Sequence, residues 1–419
     1  MPSYDLEYMQ PGPCKDKHIE WTNTPCKKIE ELYIKEFDNV TILPRIPSGQ
    51  MVDSWMGYGG VLDMNGQWIP ESGVYRCNGT RVFGGEYDIT DQKINNKDLS
   101  NETVIYMGPY FPHWGHFLLD HIVRLWYAME HTEERIAYIS WDEGNQGIQG
   151  NFANLIRLLG IDTNRLVNIQ EPTLFKHVII PQPAFERGTY YSDQYSLMLN
   201  KVITSVGDLG LNTYDKICFS RYKFAKKHNK EYGHENLDRF WESNGYHIFY
   251  PEELSTEEQI YYVNRCKEFV VIPGGASMNA LFLPDNAKII YLQKEDEIVE
   301  INDLYQINEM RHTSEVAYIS VYYKHKLFAK LIPDCRDKFW VGVTEELIHY
   351  AEDNAFKVSE DIKLIHFEKQ YERAQIKYAI FEVRLKKIKN KVIIFLQKLP
   401  CYGGLRSFYR KHIKKLKAC

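Results

Sequence analysis

The chain has 419 residues, which is long for one hydrophobic core and predicts two domains with extensions. Its 44% hydrophobic and 26% charged residues are typical of a soluble globular protein. No stretch approaches the ~20 apolar residues of a transmembrane helix, which argues against a membrane-spanning protein.

The net charge of -5 is unevenly distributed. Residues 384–419 contain twelve Lys and Arg and no acidic residue, so the rest of the chain carries 39 basic and 56 acidic residues. This acidic body argues against nucleic acid as a partner. The tail interleaves its cations with Ile, Leu, Phe and Tyr, which predicts an amphipathic segment that binds an anionic membrane surface. A solvated basic helix is the alternative.

The 8 cysteines are scattered and form no Cys-x-x-Cys pair, which favours neither a zinc ribbon nor a disulfide framework. The first residues lack the charged-then-apolar pattern of a secretory signal. We therefore expect a cytoplasmic protein, or one peripheral on the cytoplasmic face of the membrane.

Residues 1–100 are predicted to form an irregular, β-containing extension. The first 60 residues are rich in Pro, Gly, Cys and charge. Turn pairs such as Asn65-Gly66 and Gly84-Gly85 then separate short apolar runs and predict a hairpin or two.

Residues 104–107 are predicted to form a strand, and a buried helix is predicted from near Gly115 to Met129. That helix carries polar side chains three or four residues apart, which places them on nearly one face. They are His113, His116, Asp120 and Arg124. Such groups facing a cleft could transfer protons or bind anions. Two alternatives are that they are cap and core groups, or that His113, His116, Asp120 and His121 hold a metal ion.

Strands and helices then alternate to residue 206, which predicts a parallel α/β layer. The pattern restarts at residue 216 with a strand that ends at Ser220-Arg221. A second buried strand, residues 269–272, leads into a glycine-rich turn and a short helix. Helix N-termini and glycine turns favour anions, and ligands of open α/β sheets bind at strand carboxyl ends. Arg221 and this turn therefore predict a diphosphate site.

The order of several motifs resembles that of glycosyltransferase family 61. They are His113-Trp-Gly-His-Phe-Leu-Leu-Asp-His-Ile-Val-Arg-Leu, Ser220-Arg221, Glu235-Asn-Leu, Gly245-Tyr, Pro251-Glu-Glu-Leu-Ser, Glu258-Gln-Ile and Gly274-Gly-Ala-Ser-Met-Asn-Ala-Leu-Phe. The resemblance covers roughly residues 100–325. The sequence departs from the family pattern at Gly274-Gly275, where His-Gly is common, and at Lys226 or Lys227, where a second Arg is common.

The resemblance implies two Rossmann-like domains of the GT-B type and an inverting transfer without an obligatory metal or cofactor. The substrate would be a nucleotide diphosphate sugar, and the acceptor a glycan, which a lipid could carry. The implied division is an acceptor-side domain (101–206) and a donor-binding domain (207–330), followed by a helical extension (331–419). In the extension, residues 344–398 lack Gly and Pro and predict one or two long helices.

The expected catalytic base is Asp120, with His116 as the competitor. The expected donor-binding residues are Arg221, Lys226, Glu258, Gly274, Gly275, Ala276, Ser277 and Asn279. For Glu258 a helix-cap role is an equal alternative to ribose binding. On the acceptor side we expect His113, Trp114 and Arg124. Two rival functions are a non-catalytic nucleotide- or sugar-binding protein of the same fold and a metal-dependent hydrolase that uses the histidine cluster.

Overall fold

The computed structural model describes most of the chain between residues 26 and 359. The described positions are 3–5, 26–46, 56–76, 79–87, 102–141, 147–228, 231–293, 301–321, 339–359, 384, 387, 388 and 391. The chain divides into two compact units, of which Met1–Tyr323 with Phe339–Lys357 forms the first. Every helix and strand named below belongs to this first unit.

The strands of the first unit, in chain order, are β1 Ser3–Asp5, β2 Lys27–Ile29, β3 Ile34–Ile46, β4 Tyr58–Leu62, β5 Val74–Arg76, β6 Thr80–Phe83, β7 Thr103–Tyr110, β8 Arg135–Ser140, β9 Leu166–Asn168, β10 Thr173–Pro181, β11 Phe185–Glu186, β12 Tyr190–Ser192, β13 Lys216–Phe219, β14 Glu231–Tyr232, β15 His247–Phe249, β16 Glu268–Val271, β17 Lys288–Gln293, β18 Glu315–Ser320 and β19 Phe339–Trp340. The α-helices are α1 Trp114–His116, α2 Leu125–Glu130, α3 Gly150–Leu158, α4 Asp193–Val206, α5 Tyr222–His228, α6 His234–Ser243, α7 Thr256–Arg265, α8 Ile301–Met310 and α9 Glu345–Asp353. A π-helical turn, Phe117–His121, and a 3₁₀ turn, Ile122–Arg124, connect α1 to α2. Further 3₁₀ turns are Pro70–Ser72, Thr163–Arg165, Pro251–Glu253 and Gly275–Phe282.

The first six-stranded sheet has the order β4-β3-β10-β7-β8-β9. Strands β10, β7, β8 and β9 are parallel, and β3 and β4 add an antiparallel edge. Numbered along the chain from β7, the parallel part has the order 3-2-1-4. Strand β7 is buried along nearly its whole length because it lies in the middle of the sheet.

The second six-stranded sheet is entirely parallel, with the order β1-β18-β17-β16-β13-β15. Numbered from β13, its last five strands have the order 2-1-3-4-5. The predicted α/β alternation is therefore confirmed in both halves. One buried apolar cluster joins them, since it contains Leu118 beside the first sheet and Leu281 beside the second.

Side chains cap the N-termini of two helices, α4 and α7. The Ser192 hydroxyl accepts a hydrogen bond from the Tyr195 backbone at 3.4 Å to cap α4, and Gly207 ends that helix with φ 61°. At α7, Ser255 and Glu258 form a capping box, in which each side chain bonds the other residue's backbone N–H.

The predicted continuous helix from residue 115 to 129 is interrupted. In the π-helical turn the Ile122 N–H bonds to the Phe117 carbonyl, five residues back, which widens the helix and rotates the residues that follow. His116 still contacts Asp120, but Arg124 turns away from both. The prediction that all four polar groups share one face is therefore wrong for Arg124.

The described residues of the stretch 1–100 include strands of both main sheets. Strands β3 and β4 extend the first sheet, and β1 pairs in parallel with β18 at the edge of the second. Lys35 and Glu36 lie at the exposed start of β3, while Val40, Ile42 and Leu43 are buried.

The long helix predicted from residue 344 ends at Asp353. Ala355 adopts φ 56°, and the Phe356 N–H bonds to the Ala351 carbonyl at 2.7 Å, which closes the helix end without the usual glycine. Phe356 then packs on Trp241 and Tyr350. Apart from positions 384, 387, 388 and 391, residues beyond 359 are outside the described part of the chain, and so is the prediction for the basic tail. Among the described residues, no helix combines the length and apolar character needed to cross a bilayer.

Candidate active site

A cavity of about 730 Å³ lies where the carboxyl ends of the strands from both sheets meet. Its lining residues follow β7, β8, β13, β15 and β16, and are Pro112, His113, Trp114, Gln149, Gly150, Asn151, Phe152, Ser220, Arg221, Phe224, Pro251, Glu252, Thr256, Gln259, Gly275 and Ala276. This volume is large enough for a nucleotide-sized ligand.

The second-sheet wall of the cavity lies at a topological switch point. The chain leaves β13 toward β15 on one side and enters β16 on the other, so the loops after β13 and β16 diverge. Ligands of open α/β sheets bind in such crevices. Arg221 follows β13, and Gly274 and Gly275 follow β16, so the predicted diphosphate residues lie together at this point.

Glycine is needed at position 274. Its φ is 143°, which L side chains rarely adopt, and a Cβ there would lie 3.6 Å from Nη1 of Arg221. The Ser277 hydroxyl accepts the Gly274 N–H at 3.1 Å and donates to the Gly274 carbonyl at 2.7 Å. Ser277 is fully buried and therefore shapes the turn, whereas Gly275 and Ala276 line the cavity.

His113 and Trp114 bring the first-sheet wall close to this turn. A Cβ on Gly275 would lie 3.8 Å from Cε1 of His113 and 4.0 Å from Cβ of Trp114. Partial desolvation lowers the pKa of His113 below its ordinary value, and the charges of His116 and Arg187 lower it further. The imidazole that faces the cavity is therefore neutral at neutral pH.

Trp114 also takes part in a hydrogen-bonded chain between the two walls. Its Nε1 donates to Oδ1 of Asn279 at 3.2 Å, and Nδ2 of Asn279 donates to Oε1 of Gln259 at 3.0 Å. Asn279 is fully buried and does not line the cavity. It fixes the positions of Trp114 and Gln259, which do.

Asp120 lies behind the cavity wall in a buried group of charges. Arg76 Nε donates to its Oδ1 at 3.1 Å, and His116 Nδ1 lies 2.9 Å from its Oδ2. Arg187 Nη1 lies 3.5 Å from the same oxygen. Burial alone would raise the pKa of Asp120, but Arg187, His116 and Arg76 together hold it far below its ordinary value. Asp120 is therefore ionised and holds the side chains around it by charge and hydrogen bonds.

Arg187 connects this group to the second sheet. Its Nε donates to Oδ1 of Asp303 at 2.9 Å, its Nη2 bonds to the other oxygen, and both side chains are largely buried. Asp303 lies in α8, after β17. The five residues Arg76, His116, Asp120, Arg187 and Asp303, here called the Asp120 network, come from four separate stretches of the chain, because His116 and Asp120 lie on one helical stretch. Sequence reasoning missed Arg76, Arg187 and Asp303, because no local pattern marks them.

Of three other predicted site residues, two lie outside the cavity. Arg124 is buried and donates to the carbonyl oxygens of Pro181, Glu71 and Gly73 at 3.0, 2.8 and 2.9 Å. Glu258 is occupied in the α7 capping box and does not line the cavity. The Lys226 side chain is outside the described part of the structure.

The histidine cluster does not form a metal site. Among the described residues, no group of His, Cys, Asp and Glu side chains is arranged to hold a metal ion. His121 is fully buried, and burial lowers its pKa to about 3. The alternative of a metal-dependent hydrolase therefore gains no support.

The fold and the cavity define an α/β protein with a binding cleft at the carboxyl ends of its strands. The Glycosyltransferase 61 family model matches residues 114–290, a segment that runs from α1 into β17 and includes residues of both cavity walls. This match confirms the predicted resemblance to glycosyltransferase family 61, and the family suggests a glycosyltransferase. A search of curated proteins finds no match to the chain.

Proposed function

We propose that the protein is an inverting glycosyltransferase that moves a sugar from a nucleoside-diphosphate sugar to a hydroxyl group of a glycan. One observation carries this proposal: Arg221 and the 274–276 turn share one cavity with His113. An inverting transfer needs positive or N–H groups for the leaving diphosphate and a base for the acceptor hydroxyl. The second-sheet wall offers the groups for the diphosphate, and the first-sheet wall offers the base.

A GT-B arrangement of two Rossmann-like halves fits this proposal. The strand orders 3-2-1-4 and 2-1-3-4-5 both occur in doubly wound nucleotide-binding sheets. In this arrangement the second sheet holds the donor at its switch point and the first sheet holds the acceptor. In the proposed site Arg221 and the backbone N–H groups at Gly275 and Ala276 would stabilise the leaving diphosphate.

We assign the base to an imidazole at the first-sheet wall, with His113 as the group that faces the cavity. Asp120 already accepts hydrogen bonds from Arg76 and has a strongly lowered pKa, which makes it a weak base. Its contact with His116, whose ring centroid is 4.9 Å from that of His113, suits a positioning role. We therefore propose that Asp120 positions the imidazole groups and does not itself act as the base.

Turnover distinguishes this proposal from a non-catalytic binding protein of the same fold. A panel of nucleotide sugars would be screened for thermal stabilisation, and those that bind would be incubated with glycan acceptors. We expect release of the nucleoside diphosphate and, by NMR, a product of inverted anomeric configuration. If nucleotide sugars stabilise the protein but no acceptor leads to release of the nucleoside diphosphate, a non-catalytic binding protein would be favoured. A product of retained anomeric configuration would contradict the inverting mechanism.

The acceptor could be lipid-linked, since residues 384–419 combine twelve cationic side chains with apolar ones. Such a segment binds anionic leaflets at about 1 kcal/mol per Lys or Arg near the surface. Flotation with anionic liposomes would compare the full chain with a truncation after Val383. We expect the full chain to float and the truncated chain not to float. Equal flotation of the two proteins would exclude binding of a membrane surface by residues 384–419.

A further inference from the structure

Two aromatic side chains lie next to the cavity on the side of the first sheet. Phe111 follows β7 and Trp141 follows β8, and the last residues of these strands, Tyr110 and Ser140, are paired in the sheet. The two rings are therefore neighbours, with centroids 4.6 Å apart, and both are half-buried. They lie outside the lining of the cavity itself. We call this pair the aromatic platform.

The platform adjoins the histidine that we assign as the base. The rings of Phe111 and His113 are nearly parallel, with an interplanar angle of 7° and centroids 6.0 Å apart. The His113 N–H also donates to the Phe111 carbonyl at 2.7 Å, which fixes the turn between them. A ligand that presents a group to His113 from this side of the cavity is therefore within reach of Phe111.

Contacts with the rest of the fold hold Trp141 in place. The Arg45 guanidinium lies 3.9 Å from the centre of the Trp141 ring, and Arg45 Nε donates to the Met56 carbonyl at 2.6 Å. The Trp141 N–H donates to the Tyr110 carbonyl at 2.9 Å, and the side chain packs against the buried apolar cluster of the first sheet. A side chain that is fixed in this way loses little conformational freedom when a ligand binds.

Half-buried aromatic rings beside a polar group suit a sugar ring. A pyranose has C–H bonds on its faces and hydroxyl groups around its edge. The face of an aromatic ring carries partial negative charge and attracts C–H hydrogens, which carry partial positive charge. The hydroxyl groups at the edge of the sugar then remain available to a group such as His113. The negative charge of a phosphate is not attracted to such a surface, so the platform suits the acceptor better than the diphosphate of the donor.

We propose that the aromatic platform is an acceptor subsite, in which Phe111 and Trp141 stack on pyranose rings of the acceptor while one of its hydroxyl groups faces His113. This inference rests on the proposed function and narrows it, because the acceptor is then a pyranoside that presents a C–H face. Phe111 contacts the base and Trp141 contacts Phe111, so an acceptor of two sugar units covers both aromatic rings. It should bind more tightly than an acceptor of one unit.

Saturation-transfer NMR on the full chain tests the platform without requiring turnover. The probes would be methyl glycosides of glucose, galactose, mannose and N-acetylglucosamine, and of disaccharides built from them. For those that bind, we expect the strongest transfer to the protons on one face of the ring. Trp141→Ala and Phe111→Leu should weaken this transfer, whereas Trp141→Phe, which keeps an aromatic ring, should retain most of it. Tyr127→Ala is the control, because that half-buried ring stacks on His131 outside the cavity.

Steady-state kinetics give a second measurement. With a donor and an acceptor that are turned over, Trp141→Ala should raise the acceptor KM about tenfold, the effect of one lost stacking contact. Calorimetry should show that its affinity for the nucleoside diphosphate is unchanged. Thermal unfolding would show that the variants are folded.

The outcomes separate the two proposals. Glycoside binding and an acceptor KM that neither Trp141→Ala nor Phe111→Leu changes would overturn the acceptor subsite and leave the proposed function standing. Glycoside binding that depends on Trp141, without turnover of any nucleotide sugar, would overturn the proposed function and leave the platform as a sugar-binding surface. If no glycoside binds and no nucleotide sugar is turned over, both proposals are overturned.

Discussion

The two main walls of the cavity are built by different means. The first-sheet wall depends on side chains: His113 faces the cavity, and the buried Asp120 network lies behind it. The second-sheet wall depends on backbone, since a glycine turn and a helix N-terminus present N–H groups beside one arginine. Side chains suit proton transfer, because their pKa values can be shifted, and backbone groups suit an anion that is the same in every donor. The comparison predicts that substitutions in the first wall affect turnover and those in the second affect donor binding.

The largest expected effect belongs to His113. His113→Gln should lower kcat by about 10²–10⁴-fold, the usual contribution of a general base, and leave donor affinity nearly unchanged. Steady-state kinetics and calorimetry would measure the two quantities. His131→Gln is the control, because that ring stacks on Tyr127 outside the cavity. If His113→Gln keeps a near-normal kcat, the base is another residue, and His116→Gln would be measured next.

The assignment of His113 as the base also predicts how kcat/KM depends on pH. The pKa of His113 is lowered, so its basic form persists to a pH below the ordinary histidine value of about 6.5. We expect kcat/KM to fall only as the pH drops below that value, with one proton taken up by the free enzyme. An acid limb centred well above it would contradict His113 as the base.

Stability should depend strongly on the contact between Arg187 and Asp303. Asp303→Asn leaves a buried guanidinium with one carboxylate partner fewer and should lower the free energy of unfolding by about 3 kcal/mol. Urea denaturation would measure this change. The control is Asp215→Asn, which breaks the exposed pair of Asp215 with Lys267, and should cost less than about 1 kcal/mol. Equal effects would show that the network contributes no more than a surface pair.

In the second wall, Arg221→Ala should weaken nucleoside-diphosphate binding by about 2–3 kcal/mol, as for a lost charge-assisted hydrogen bond. Calorimetry would compare it with Arg157→Ala, which removes an exposed arginine of α3 that does not line the cavity. Unchanged affinity in Arg221→Ala would place the diphosphate elsewhere.

The smallest expected effect concerns Glu258. Glu258→Ala removes half of the α7 capping box and should cost about 1 kcal/mol of stability, with nucleotide affinity unchanged. Thermal unfolding and calorimetry measure both. A large loss of affinity at unchanged stability would restore the ribose role to Glu258.

Local patterns made much of the fold predictable. The apolar run of β16, the capping box of α7, and the Ser220-Arg221 and Gly274-Gly275 turns all follow from short stretches of sequence. The resemblance to the family then ordered these pieces. The site was less predictable, since Arg76 and Arg187 are distant from Asp120 in the sequence and contact it only in the folded chain, where Arg187 also contacts Asp303.

Two further errors concern short stretches of the chain. The π-helical turn Phe117–His121 looks like ordinary helix in the apolar pattern, so the direction of Arg124 could not be predicted. Helix α9 ends at Asp353 without a glycine or proline that would mark its end in the sequence. The packing of Phe356 stabilises the positive φ of Ala355 instead. At the end of α9, a tertiary contact therefore decides the conformation.

A crystal structure with a bound nucleoside diphosphate tests the central claim most directly. The account predicts that diphosphate oxygens lie about 3 Å from the Arg221 guanidinium and the backbone N–H groups of Gly275 and Ala276, with the open end of the diphosphate facing His113. A diphosphate bound outside this cavity, or one held without Arg221, would contradict it.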